Sequence, residues 1–201
     1  MSYKNFKEKD FKDKFGITTK IGLIFKREEL ITFEPSQNLI FALQDARLIT
    51  LSTEKAVSER VISPVLAEIK RKFPDRVQIF SGEIINADSK QGLNGEIDFI
   101  ITKATNTIEP QSPILCVTEA KIGKLNKAIP QATAQMLGAR IFNKNHDTDF
   151  PTIHGVVTDG DVWLFLKLEE NTLYLDDTRY YINDLPILLG IFNKIIEFYE
   201  K

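Results

Sequence analysis

Apolar positions recur along the 201-residue chain with two different periods, and the change of period outlines its elements. Between residues 53 and 73, Val57, Val61, Val65, Ile69 and Phe73 return every fourth position, the stripe of an amphipathic helix. Thr53 is a natural N-cap for it, and Pro64 predicts a kink or break inside it. A second helix is expected from Pro35-Ser36 to about Ile49, with Ser36 as its cap. A third covers 126–143, with Pro130 near its first turn. A last one starts at Asp184, with Ile187, Leu188, Ile191, Ile195 and Tyr199 as its buried stripe. Phe6, Phe11 and Phe15 give residues 1–16 one apolar side, so this segment reads as a helical or flexible arm.

Other segments follow period two or are apolar throughout. Residues 20–25 and 29–33 read as short strands able to form a hairpin, and 76–80 as another strand. Residues 86–94 are polar and contain Gly92, which predicts a loop. Residues 96–102 alternate. Residues 114–121 begin almost wholly apolar, as a strand buried on both faces does. Residues 153–158 and 162–168 flank Asp159-Gly160-Asp161, a strong hairpin signal, and 171–175 adds a strand to that meander. Trp163, Phe165, Tyr180 and Tyr181 are read as core. The fold class expected is α/β, a single domain with a mixed central sheet flanked by helices.

Composition narrows the chemistry. With one cysteine, Cys116, and two histidines, His146 and His154, neither an intramolecular disulfide nor a Cys/His zinc cage is expected. The two histidines lack acidic or histidine neighbours at ligand spacing and are assigned no site. A catalytic metal would be held by carboxylates, which favours Mg²⁺ or Mn²⁺. No apolar run is long enough to span a membrane, and the charged first residues lack a signal peptide's apolar core, so a cytoplasmic location is expected. The formal net charge is −2, but from residue 119 to 144 five bases stand against one acid. Lys124 and Lys127 belong to that basic stretch, and such a patch can contact phosphate on an acidic protein. From 159 to 201 nine acids stand against four bases.

The residues that suggest chemistry are Asp98, Glu119 and Lys121. Residues two apart on a strand share a face, so Glu119 and Lys121 project together at the end of an apolar strand. If 96–102 pairs antiparallel with 114–121, Asp98 lands beside Glu119. Two carboxylates so placed bind a divalent cation, which lowers the pKa of a bound water and neutralises phosphate charge. A lysine beside them orients the water or stabilises the transition state.

Gly95-Glu96-Ile97-Asp98, the apolar run Ile114-Leu115-Cys116-Val117, and Glu119-Ala120-Lys121 together resemble the core of the PD-(D/E)XK nucleases, in particular bacterial and cyanobacterial members of that superfamily. The motif is an acid, a variable gap (21 residues here), then an acid, any residue and a lysine. Ile97 stands where the name-giving proline would be. The resemblance covers about residues 53–143. It implies a restriction-endonuclease-like core, with the hairpin and last helix as additions, and a Mg²⁺-dependent endonuclease or phosphodiesterase acting on DNA. Asp98 and Glu119 would be metal ligands and Lys121 the catalytic lysine. The resemblance also carries Glu59 over as an acid on the preceding helix, with Glu68 as its rival, and Gln131 and Gln135 as glutamines on the following one. The alternatives are an accessory, nucleic-acid-binding subunit of the same fold with a vestigial site, or a structural interaction protein. A homodimer or a partner subunit is expected in place of a separate target-recognition domain.

Overall fold

The computed structural model describes residues 2–148 and 150–200. A mixed eight-stranded sheet runs through it, with helices on both faces. The strands are β1 (Thr18–Ile21), β2 (Gln78–Ile84), β3 (Glu96–Thr102), β4 (Ile114–Ala120), β5 (Thr152–Thr158), β6 (Val162–Glu169), β7 (Thr172–Leu175) and β8 (Tyr180–Tyr181). Their order is β1-β7-β6-β5-β4-β3-β2, with β8 paired to β6. The pairs β4–β5 and β1–β7 are parallel; the others are antiparallel.

The expected central strand is central. All seven residues of β4 are buried, as its apolar run requires. A register shift between Ile101 and Thr102 resets its alternation near Ile114. Beyond the shift, Cys116 and Ala120 join one apolar layer and Val117 the other.

The first layer holds α4 (Ser63–Lys72) and α6 (Leu185–Phe198), packed over Trp163, Phe165 and Phe99. α2 (Gln37–Ala46) is fastened to α4 through Glu68. This residue is fully buried; its carboxylate accepts the Ser36 backbone N–H at 2.9 Å and hydroxyl at 2.6 Å, and pairs with Arg71 and Lys72. The second layer holds α5 (Ile129–Asn145) and α1 (Glu8–Phe15), with the rings of Phe6, Phe11 and Phe15 clustered 5.5–6.5 Å apart. The Asp159-Gly160-Asp161 hairpin forms as read. Asp159 accepts the N–H groups of Asp161 and Val162, while Gly160 adopts φ +93° and leaves no room for a Cβ against Val57.

Tyr181, read as core, is 49% exposed, and three further expectations are corrected. Residues 20–25 and 29–33 make no hairpin. β1 pairs instead with β7, and Arg27–Glu29 is a 3₁₀ turn. The chain beyond that turn lies across α6, whose Gly190 leaves no space for a Cβ beside the Ile31 carbonyl. Packing on a helix has displaced a sheet ladder there. The helix over 53–73 is not broken at Pro64. It runs from α3 (Glu54–Val57) through a π-helical turn (Ser58–Ile62) into α4. The Ser63 N–H reaches back five residues to the Ser58 carbonyl, and Pro64, with no N–H of its own, falls in the first turn of α4. The third correction, at Glu59, concerns the site. Among the described residues no helix is long and apolar enough to cross a membrane.

Candidate functional site

β3 and β4 bring Asp98 and Glu119 together. Their register pairs Phe99 with Thr118 and Ile100 with Val117, and one step further it sets Asp98 opposite Glu119. The Asp98 carboxylate accepts the Ala120 backbone N–H at 2.8 Å through Oδ2. Glu119 is only 4% exposed, and its Oε2 accepts the Gln135 side-chain amide at 2.7 Å. Oδ1 of Asp98 and Oε1 of Glu119 have no hydrogen-bond partner among the described residues.

Gln135 reaches Glu119 because α5 runs antiparallel to β4 and is pinned at both ends. At the far end Asn143 exchanges two hydrogen bonds with the Ile114 backbone, at 2.7 and 2.8 Å. Thus α5 cannot slide along the strand without leaving buried peptide groups unpaired. Gln135 Oε1 is itself buried with no partner among the described residues, beside the two acids.

The electrostatics follow from burial and proximity. Desolvation pushes the Glu119 carboxyl up to about 8, and repulsion by Asp98 adds to it; Gln135, Lys121 and Lys4 pull the other way. Asp98 is also raised, first by burial; the Ala120 hydrogen bond and Lys4 oppose that, while Glu54 and Glu96 reinforce it. These are two carboxyl groups in one partly dry place, each disfavouring the other's charge.

Lys121 continues the β4–β5 ladder through its N–H, which donates to the Thr158 carbonyl at 2.8 Å. Its ammonium lies 2.6 Å from the Glu54 carboxylate. This bond, with the nearby carboxylates, raises the lysine's pKa. The helix acid at this end of the sheet is therefore Glu54, in the first turn of α3 beside its Thr53 cap. Glu59 is not there: it is exposed and 3.8 Å from Lys55. Its rival Glu68 is a structural anchor between α2 and α4. Gln131 is partly exposed and does not reach Glu119. Lys124 and Lys127 are exposed in the 3₁₀ turn that leads into α5.

No family model matches the chain, and no curated protein matches it.

Sequence reasoning missed Glu54 and Lys4. The Thr53 cap was the one available signal for the former, since it put an acid in a first helical turn. Lys4 acts on the acids through space, next to Tyr3, which is buried with its hydroxyl donating to the Ile85 carbonyl at 2.9 Å. No local pattern announces that docking.

Among the described residues no group of three or more His, Cys, Asp or Glu is arranged to hold a metal ion. The two acids nonetheless suit a hard cation. Each keeps one free oxygen, both are held by neighbours that leave it free, and each has its charge disfavoured until a cation arrives. Mg²⁺ commonly uses one or two carboxylates and fills its other positions with water and phosphate oxygens.

Proposed function

We propose that the chain is a metal-dependent phosphodiesterase of restriction-endonuclease-like core, acting on nucleic acid, with DNA as its substrate. The observation that carries this reading is the opposed pair Asp98 and Glu119 at the end of a buried strand, with one oxygen of each unclaimed. When bound, Mg²⁺ or Mn²⁺ supplies a water of lowered pKa and a positive charge against phosphate. The chain's own residues divide the remaining work. Ala120 N–H orients Asp98, and Gln135 orients Glu119. Lys121 offers an ammonium for developing negative charge, with Glu54 holding it until substrate arrives. Lys124 and Lys127, on the turn just beyond Lys121, are placed to meet the nucleic-acid backbone.

The test is Mn²⁺ titration by calorimetry together with cleavage of plasmid DNA. Asp98→Asn and Glu119→Gln should each abolish metal binding and cleavage together. Lys121→Ala should leave metal binding intact and slow cleavage by about 10²-fold, the scale for losing a charge-stabilising group. Wild-type protein that binds no Mn²⁺ defeats the reading. The Lys121–Glu54 ion pair favours a second one, an accessory nucleic-acid-binding subunit whose lysine is permanently engaged. DNA binding without cleavage, unaltered by Glu54→Gln, would select it.

A further inference from the structure

A cavity of about 250 Å³ opens on the α6 face of the sheet. His154 forms part of its lining, with Phe25 and Phe198 beside it, and Ile24 and Leu30 close it from the segment after β1. His154 is remote from the acids. It pairs with Cys116 in the β4–β5 register, whereas Glu119 pairs with Val157, three residues or about 10 Å further along the strand. It also points to the other face: its ring meets Tyr199 and Phe198 of the α6 end, while Glu119 meets α5.

The tautomer of His154 follows from its neighbour. The Tyr199 hydroxyl lies 2.9 Å from the Leu115 carbonyl and 3.1 Å from that of Thr152. Its single proton goes to one of these, because a carbonyl can only accept. With its proton on the Leu115 carbonyl, the hydroxyl accepts from His154 Nδ1, 2.9 Å away, the arrangement that puts the proton on Nδ1 and leaves a lone pair on Nε2. His154 is 3% exposed, and Nε2 has no partner among the described residues. Burial, and then the Lys167 ammonium across the β5–β6 pair, push the imidazole down to about 3, so it stays neutral. An acceptor with no donor is thus presented on the wall of a cavity.

The rest of the lining says what fits. Phe25 and Phe198 stand 6.2 and 5.3 Å from the imidazole centroid, so the interior next to the acceptor is aromatic. The cavity is smaller than the roughly 300–1,000 Å³ of drug-sized sites, which limits the occupant to about one ring. Three lysines, Lys26, Lys167 and Lys194, face two carboxylates, Glu29 and Glu197. Lys26 is paired with Glu29 and Lys167 with Glu169. Lys194 has no ion-pair partner among the described residues.

We propose that this cavity is a binding site for a small aromatic anion, whose ring-borne O–H or N–H donates to His154 Nε2 and whose anionic group meets Lys194. Neither half of that recognition suffices alone. Without the donor, Nε2 has only cavity water to bond; without the anion, Lys194 stays solvated.

The probe is 4-hydroxybenzoate, with benzoate lacking the donor and phenol lacking the anion. Long-range ¹H–¹⁵N spectra of the imidazole report on Nε2 directly, and calorimetry gives affinity. 4-Hydroxybenzoate should move the His154 Nε2 resonance in a saturable way, and benzoate and phenol should each bind about tenfold more weakly. Lys194→Ala, a change at a half-buried position, should weaken 4-hydroxybenzoate to the level of phenol. His154→Asn keeps an N–H for Tyr199 and removes the acceptor at the Nε2 position, so it should erase the preference for 4-hydroxybenzoate over benzoate. If His154→Asn does not fold, the benzoate comparison and Lys194→Ala carry the test. A His154 resonance unmoved at about 10 mM probe, or binding indifferent to Lys194→Ala, overturns the proposal.

Discussion

Glu119 is the residue whose environment departs furthest from what its side chain prefers. It is an acid in a buried strand, facing a second acid, with a neutral amide as its nearest donor. Its carboxyl is raised from an ordinary 4.5 to about 8, so the folded protein binds this proton more tightly than the unfolded chain. Stability from this group is therefore complete below about pH 4.5 and is lost as pH rises through about 8. Glu119→Gln keeps the shape and the bond to Gln135 but cannot ionise. In metal-free protein it should flatten the fall in thermal stability between those limits and stabilise the fold by roughly 2–4 kcal/mol at about pH 9. Equal pH profiles for the two proteins would show that Glu119 is already ionised and compensated in the fold. Asp98 differs in one respect. Its carboxylate holds the Ala120 N–H, so Asp98→Asn, which preserves an acceptor, isolates charge, whereas Asp98→Ala also orphans a peptide group.

At the scale of elements, the sequence disclosed the strands of the site better than its helices. Asp98 and Glu119 were legible because period-two alternation and an antiparallel pairing put two carboxyl groups in one place. Glu54 was not, because nothing local ties the start of its helix to the end of β4, and the helix phase changes beyond it. The π turn at Ser58–Ile62 inserts an extra residue, and one residue amounts to about 100° of rotation. Arguments that set Glu59 against Glu68 by counting around a regular helix therefore lost their basis. Which helical acid meets Lys121 was decided by where α3 begins relative to the end of β4. His154 was likewise passed over, since it has no ligand-spaced neighbours in sequence and gains its setting from Tyr199, 45 residues away. The N-terminal arm offers a test of such tertiary placement. A Cβ at Gly138 would lie 2.2 Å from the Tyr3 hydroxyl, so α5 accepts the arm only where a side chain is missing. Gly138→Ala should destabilise by about 1–3 kcal/mol through overpacking. In a Tyr3→Ala background the same change should cost little, because the clash has no partner. Additive effects in that double-mutant cycle would show that Tyr3 does not occupy the socket.

For the molecule as a whole, the alternation of apolar runs and turns was enough to read an α/β layering with β4 at its centre. Strand order at the β1 edge was not readable, because parallel pairing of Thr18–Ile21 with Thr172–Leu175 joins segments some 150 residues apart and leaves no local trace. Charge is the other property that belongs to the whole. The chain is formally −2, yet the bases of the stretch after β4 include Lys124 and Lys127, exposed on one turn immediately beyond the acids. A protein with this balance repels a polyanion overall, so binding must depend on local phosphate contacts, and those release counterions. If both lysines meet phosphates of a duplex, the logarithm of the binding constant should fall steeply with the logarithm of salt concentration. Lys124→Ala/Lys127→Ala should then reduce that slope by about 1.8, at roughly 0.9 per phosphate contact. Both side chains are exposed, so the substitutions should leave the fold and Mn²⁺ binding unchanged. Fluorescence anisotropy of a labelled duplex across a salt series, with Ca²⁺ in place of Mg²⁺ to suppress cleavage, measures the slope directly. An unchanged slope would mean that these lysines face only solvent and that the nucleic acid approaches the acids from another side.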